Sequence, residues 1–273
     1  MEEQEEFKKV TLLDQLSIAV SSPKNYRHLI FRKKGRLVLF VAVLSFLLAF
    51  IEFGIDTIFW INKVGGFGNL AMNEIPAFEY KNGKLSIERD VQLEFSGATL
   101  YINTEKPAVD LNDMEADGVY VTIGSEKIVM GMVTGGVGYT YMETPLSYMM
   151  LPEGFNNSSL AALSPAFYMY IVFMFIFIMI GKVIKQLLLA LIFSIVGNAF
   201  AKNLNSGLSY GNVLTICMYA QTLPMLIMSV NTAVGGILPS FAVWVATLVI
   251  AMIFMNRGIA SCVNNDIPPG DVF

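Results

Sequence analysis

Few residues in this chain have the types and spacing that chemistry needs. Glu52 and Asp56 stand four apart, on one face of a helix, inside an apolar stretch at residues 37–60. An acid within a membrane helix points to ion or proton handling, or to a polar contact with other helices or an outer domain. Counted from Leu37, Asp56 falls near the outer interface, and Glu52 is the immersed acid. Gln221 and Pro224 share a later apolar run, which should be kinked there and must satisfy an amide against its neighbours. Lys182 and Lys185 interrupt a long apolar block that begins after Pro165. Each would cost about 2.5–3.5 kcal/mol at mid-bilayer on insertion scales. The economical solution ends that span near Gly181 and leaves both lysines at the cytoplasmic interface.

The chain has one histidine, His28, and no HExxH, P-loop or CxxC pattern. Residues 165–255 contain no acid, so a pair of facing aspartates is excluded from that block. Asp110, Asp113, Glu115 and Asp117 cluster in one stretch, but the EF-hand spacing and its glycine are missing, which reads as a solvated acidic loop. Cys217 and Cys262 cannot frame a disulfide scaffold. The expectation is a non-enzymatic protein with no cofactor and no metal. Tyr101, Tyr120, Tyr139 and Tyr141 could stack on sugars, although tyrosines at strand spacing commonly serve packing. Asn156-Asn157-Ser158-Ser159 holds overlapping glycosylation sequons, which matter only in a secreted eukaryotic setting.

The elements that position these residues are written in fat and charge. With 55% hydrophobic and 15% charged residues, the 273-residue chain is too apolar for an ordinary soluble domain. Residues 1–36 carry eight Lys/Arg against five acids, including the cluster Arg32, Lys33, Lys34 and Arg36 just before the first apolar run. Residues 62–160 carry six against thirteen. Basic residues beside a span stay cytoplasmic, so the N-terminus is expected inside and residues 61–163 outside. Phe7, Val10, Leu13, Leu16 and Val20 recur with helical period, an amphipathic helix expected to lie on the inner leaflet. Ser22-Pro23 then opens a second helix.

The middle hundred residues alternate instead. Asn82-Gly83 between two alternating runs predicts a type I′ hairpin, with Phe78 and Tyr80 on one face with Leu85 and Ile87. A second turn is expected at Gly124-Ser125-Glu126-Lys127, and six or seven short strands should form a small antiparallel sheet, a sandwich or an incomplete barrel. The fold class is therefore an α-helical polytopic membrane protein with an inserted, mainly-β extracytoplasmic domain. Its parts are a basic segment at 1–36, a first span at 37–60, the β domain at 61–163, a helical membrane domain at 164–256 and a cytoplasmic tail at 257–273. Within the helical domain the spans fall at about 164–181, 211–230 and 239–256, with 186–201 an additional apolar helix. Four spans put Lys182, Lys185, Lys202 and Arg257 all inside, which the positive-inside rule favours over five.

In this order of parts the chain resembles DUF1189, a family of bacterial membrane proteins found mainly in Bacillota, some labelled maltodextrin-utilisation proteins. The residues that carry the likeness are Ser22-Pro23-Lys24-Asn25-Tyr26, then Arg32-Lys33-Lys34-Gly35-Arg36. Next is Ile75-Pro76-Ala77-Phe78-Glu79-Tyr80-Lys81-Asn82-Gly83-Lys84-Leu85, and last Tyr210-Gly211 leading to Tyr219-Ala220-Gln221-Thr222-Leu223-Pro224. The chain departs at Tyr101-Ile102-Asn103-Thr104, where the family would have an Asp-Thr-Thr-like stretch. The resemblance implies a multi-pass protein of a bacterial plasma membrane. It also implies likeness to Yip1-type proteins in the membrane part, which keeps five spans open. It supplies no catalytic residues. The resulting expectation is an accessory, sensory or scaffold protein tied to carbohydrate uptake; a small transporter using Glu52, Asp56 and Gln221 is the alternative. Expected partners are the lipid bilayer and a membrane transport complex or a second copy, with no nucleic acid.

Overall fold

A computed structural model describes residues 11–30, 34–95 and 98–263. Helix α1 is Leu12–Ser21, and a 3-10 turn at Pro23–Asn25 follows it. Helix α2, Lys34–Ala49, runs into a π-helical turn at Phe50–Gly54 and on into α3, Ile55–Lys63. Among the described residues, eight strands come next. They are β1 Phe78–Lys81, β2 Lys84–Ile87, β3 Val91–Phe95, β4 Ala98–Ile102, β5 Gly118–Ile123, β6 Lys127–Thr134, β7 Val137–Pro145 and β8 Phe155–Asn156. The chain ends in helices α4 Asn157–Ala162, α5 Ser164–Asn203, α6 Tyr210–Ala220, α7 Thr222–Ala233 and α8 Ser240–Ala260. It divides into two compact units, Met1–Ile55 with Phe173–Phe273, and Asp56–Val172.

Among the described residues, four helical stretches are long and apolar enough to cross a membrane: Lys34–Lys63, Ser164–Asn203, Tyr210–Ala233 and Ser240–Ala260. Along Ser164–Asn203 the side chains are distributed inside-out relative to a soluble bundle. On α5 the buried positions are Gln186, Ala190, Ser194, Gly197 and Ala201, while Leu188, Ile192 and Ile195 are exposed. Small and polar residues inside with large apolar ones outside is the pattern of helices packed within lipid. Close approach depends on Gly197, where an added Cβ would lie 2.9 Å from Val213 and 3.0 Å from the Met255 sulfur.

Two features of the helical unit go beyond the expectation. Helix α1 docks on the bundle. Thr11 and Asp14 cap its start reciprocally, and the face it buries is Gln15 and Ala19, while Leu13 is 78% exposed. The reason is a set of polar anchors: Tyr219 donates to the Gln15 side chain at 3.3 Å, and the Tyr26 hydroxyl donates to the Ala19 carbonyl at 2.8 Å. Phe7 and Val10 lie outside the described residues. Second, α5 is one helix of 40 residues, roughly 60 Å long, with no break at Gly181. The segment 186–201 is its continuation, because nothing between Lys182 and Gln186 costs a helix much and its small-residue stripe packs on α6 and α8.

In the other unit, Asn82 and Gly83 take φ of 53° and 77°, and the hairpin pairs Phe78 with Ile87 and Tyr80 with Leu85, as expected of Asn-Gly. The strands, expected as a small antiparallel sheet, a sandwich or an incomplete barrel, form two sheets, in orders β2-β1-β8 and β3-β4-β5-β6-β7, and one pairing departs from the antiparallel expectation: β4 pairs parallel to β5. The crossover between those strands carries a 3-10 turn at Leu111–Asp113, which drops Leu111 onto the sheet against Tyr120, Val129 and Val133. Gly131 and Gly138 make the room: a Cβ at Gly131 would lie 2.2 Å from the Tyr139 carbonyl and 2.3 Å from the Leu111 side chain. Asn157 closes the unit's base. Its side chain accepts from Phe78 N–H at 3.0 Å and donates toward the carbonyls of Ala71, Ile75 and Pro76. Asn156 caps α4 by accepting from Ser158 and Ser159, so the two sequon asparagines serve the fold.

Gly131→Ala should destabilise the β unit by about 1–3 kcal/mol, the usual range for overpacking. Gly118→Ala, whose nearest contact would be 3.8 Å away, should change little. Limited proteolysis of the full chain during a thermal ramp reads the difference.

Candidate functional site: a charged contact among apolar helices

The acid of the first apolar helix has partners. Glu52 sits in the π-helical turn, where the wider winding re-aims side chains and where Gly54 leaves space for the Phe50 ring, 2.6 Å from where a Cβ would be. One carboxylate oxygen of Glu52 pairs with the Lys182 ammonium from the middle of α5. The other accepts from the Ser229 hydroxyl of α7 at 2.5 Å. The side chains of Glu52 and Lys182 keep only 17% and 15% of their surface exposed. Three separated pieces of chain thus meet at one charge-compensated point. Lys185, three residues along, is exposed, as are Lys34 and Arg36; Arg32 and Lys33 lie outside the described residues.

The remaining polar residues of the helical unit form further levels. Gln186, one turn from Lys182, donates to the Met218 carbonyl at 3.3 Å. Ser194, two turns beyond, exchanges a hydrogen bond with the Tyr210 hydroxyl at 2.7 Å. The Tyr210–Ala233 stretch breaks at Gln221, and Pro224 has no N–H for the carbonyl four residues back. Gln221 is 2% exposed, and its amide has no partner among the described residues. The break expected from Gln221 and Pro224 is present, and the satisfied amide expected with it is not. An open pocket of about 400 Å³ beside Asn198, Lys202, Asn205 and Ser206 lies at the α5–α6 turn.

In the β unit, the suggestive residues are used structurally. Asp110 caps the 3-10 turn through Asn112, Asp113 pairs with Lys106 at 2.6 Å, and Asp117 accepts from Gly135 at 3.1 Å. No group of three His, Cys, Asp or Glu could hold a metal among the described residues. Tyr101 and Asn103 both donate to Asp90, and Thr104 accepts from Ile87 N–H, so this stretch ties β4 to the start of β3 and the end of β2. The hydrogen bond to Asp90 raises the Tyr101 pKa. Tyr120 is buried, its hydroxyl on the Ala116 carbonyl, while Tyr139 and Tyr141 are exposed on the edge strand β7. Asp56 is half-buried in this unit.

A family model described as protein of unknown function (DUF1189) matches residues 13–259, nearly the whole chain. The chain belongs to the DUF1189 family. Among curated proteins and solved structures, none matches it. The matched span of this DUF1189 protein includes Glu52, Lys182, Gln186, Gln221 and Ser229. Sequence reasoning found Glu52 and Lys182 separately and missed their pairing, although a signal existed. Two oppositely charged residues, each expensive in its own apolar run, have one another as the cheapest remedy. Ser229 and Gln186 carried no such signal.

Lys182→Met should destabilise the helical unit by about 3–5 kcal/mol, since it leaves the Glu52 charge buried and uncompensated. Lys185→Met should fall within about 0.5 kcal/mol of the parent. Unfolding from mixed micelles by added dodecyl sulfate measures both.

Proposed function

We propose that this DUF1189 protein is a non-enzymatic accessory membrane protein, sensory or scaffolding, that serves carbohydrate uptake such as that of maltodextrin. It lies in a bacterial plasma membrane with its N-terminus inside, crosses four times, and presents residues 61–163 outside. The observation that carries this reading is the commitment of Glu52. Both its carboxylate oxygens are engaged, by Lys182 and by Ser229, so the immersed acid holds helices together and is not poised to exchange an ion. Support for the outward orientation comes from charge. The chain before the first apolar helix is basic, the β-rich stretch after it is acidic, and Lys202 and Arg257 fall on the inner side with four crossings. The exposed Tyr139 and Tyr141 of β7 offer faces for sugar stacking.

A small transporter is the second reading, and the unpartnered polar groups of Gln186 and Gln221 favour it. The two separate in one experiment. Cells lacking the protein should lose maltodextrin uptake, and an inserted Glu52→Gln/Lys182→Met chain, which removes both charges and leaves neither uncompensated, should restore it. An inserted double variant that restores nothing would favour transport through the helices.

A further inference from the structure

The interior of the helical unit holds polar groups that its own side chains do not satisfy. Gln186 is fully buried; its Nε2 donates to the Met218 carbonyl, and its Oε1 has no partner among the described residues. Gln221 and Thr222 stand three and four residues beyond Met218, one turn further on the same face, and all their side-chain N and O atoms are likewise unpartnered. The Met218 carbonyl, which a helical Thr222 would ordinarily use four residues back, is the one Gln186 occupies. Pro224 adds an acceptor by withholding an N–H from the Ala220 carbonyl. Helix α2, which packs on α7, contributes a further fully buried and unpartnered hydroxyl, Ser45.

The chemistry of this set selects its ligand. Gln221 Nε2 is a donor, which disfavours a metal cation, and none of these groups carries a positive charge to hold an anion. Acceptors and donors are mixed, all are neutral, and apolar lipid chains can bond to none of them. Buried polar atoms left unmade are rare, because each costs its full desolvation. A small neutral molecule that both donates and accepts meets every condition, and ordered water does so in protein interiors.

We propose that the helix break at Gln221 is a water-binding seat, in which a few ordered water molecules bridge Gln186, Gln221, Thr222 and the freed carbonyl. On α5 this seat lies one turn from Lys182, so it brings water to the level next to the Glu52–Lys182 pair within a bundle whose outer faces are apolar.

The test is X-ray hydroxyl-radical footprinting of the full chain in lipid nanodiscs, which oxidises side chains beside bound water. Met218 and Met225 flank the seat and are only 5% and 4% exposed; Met255, fully buried against Gly197, is the dry reference. Met218 and Met225 should oxidise several-fold faster than Met255. In Gln186→Leu/Gln221→Leu, or in the milder Gln221→Met should the pair fail to fold, their rate should fall toward that of Met255. Equal rates for all three methionines in the parent chain would overturn the proposal, and so would fast labelling that survives the substitutions.

Discussion

An ammonium and a carboxylate among apolar helices are each unfavourable alone, and their pairing sets terms for everything around them. Glu52 reaches Lys182 because the first long helix widens into a π-helical turn at Phe50–Gly54, and Gly54 gives the Phe50 ring room within that turn. Lys182 need not sit at a helix end, because its charge is met in place. That is why α5 continues unbroken for 40 residues and delivers its small-residue stripe, Ala190 to Ala201, to the surfaces of α6 and α8. Ser229 brings α7 to the same point. Such a contact adds little net stability over a well-packed apolar substitute, yet losing either partner alone is costly, so it specifies an arrangement more than it strengthens one.

The β unit is governed differently. There the controlling feature is a crossover that lays Leu111 across β6 and β7, which in turn requires Gly131 and Gly138 beneath it. The acidic stretch that encloses Leu111 is occupied with its geometry, through Asp110 at the turn, Asp113 on Lys106 and Asp117 on the glycine turn after β6. The same holds at Tyr101, Asn103 and Thr104, where hydrogen bonds join β4 to its neighbours.

How much of this could be read from sequence depends on the range of the interaction. The apolar helices and the Asn82-Gly83 hairpin follow from local composition and from backbone preferences, and they were legible. The parallel β4–β5 pairing was not, because a parallel neighbour is chosen by a connection of fifteen residues and not by alternation within either strand. The docking of α1 was hidden for a related reason. Periodicity marked an apolar stripe through Leu13, which is exposed, while the buried face carries Gln15, whose partner Tyr219 lies 204 residues away. For the candidate site, single residues were legible by their cost in lipid, but partnership was not. Glu52 and Lys182 lie 130 residues apart, and only the packed bundle shows that one answers the other.

The central claim is that this pair acts as one neutral unit holding α2, α5 and α7 in register. A double-mutant cycle on Glu52→Gln and Lys182→Met, followed by unfolding from mixed micelles, measures it most directly. The account predicts that the double variant loses far less stability than the two single losses added together. Simple additivity of the two would contradict it.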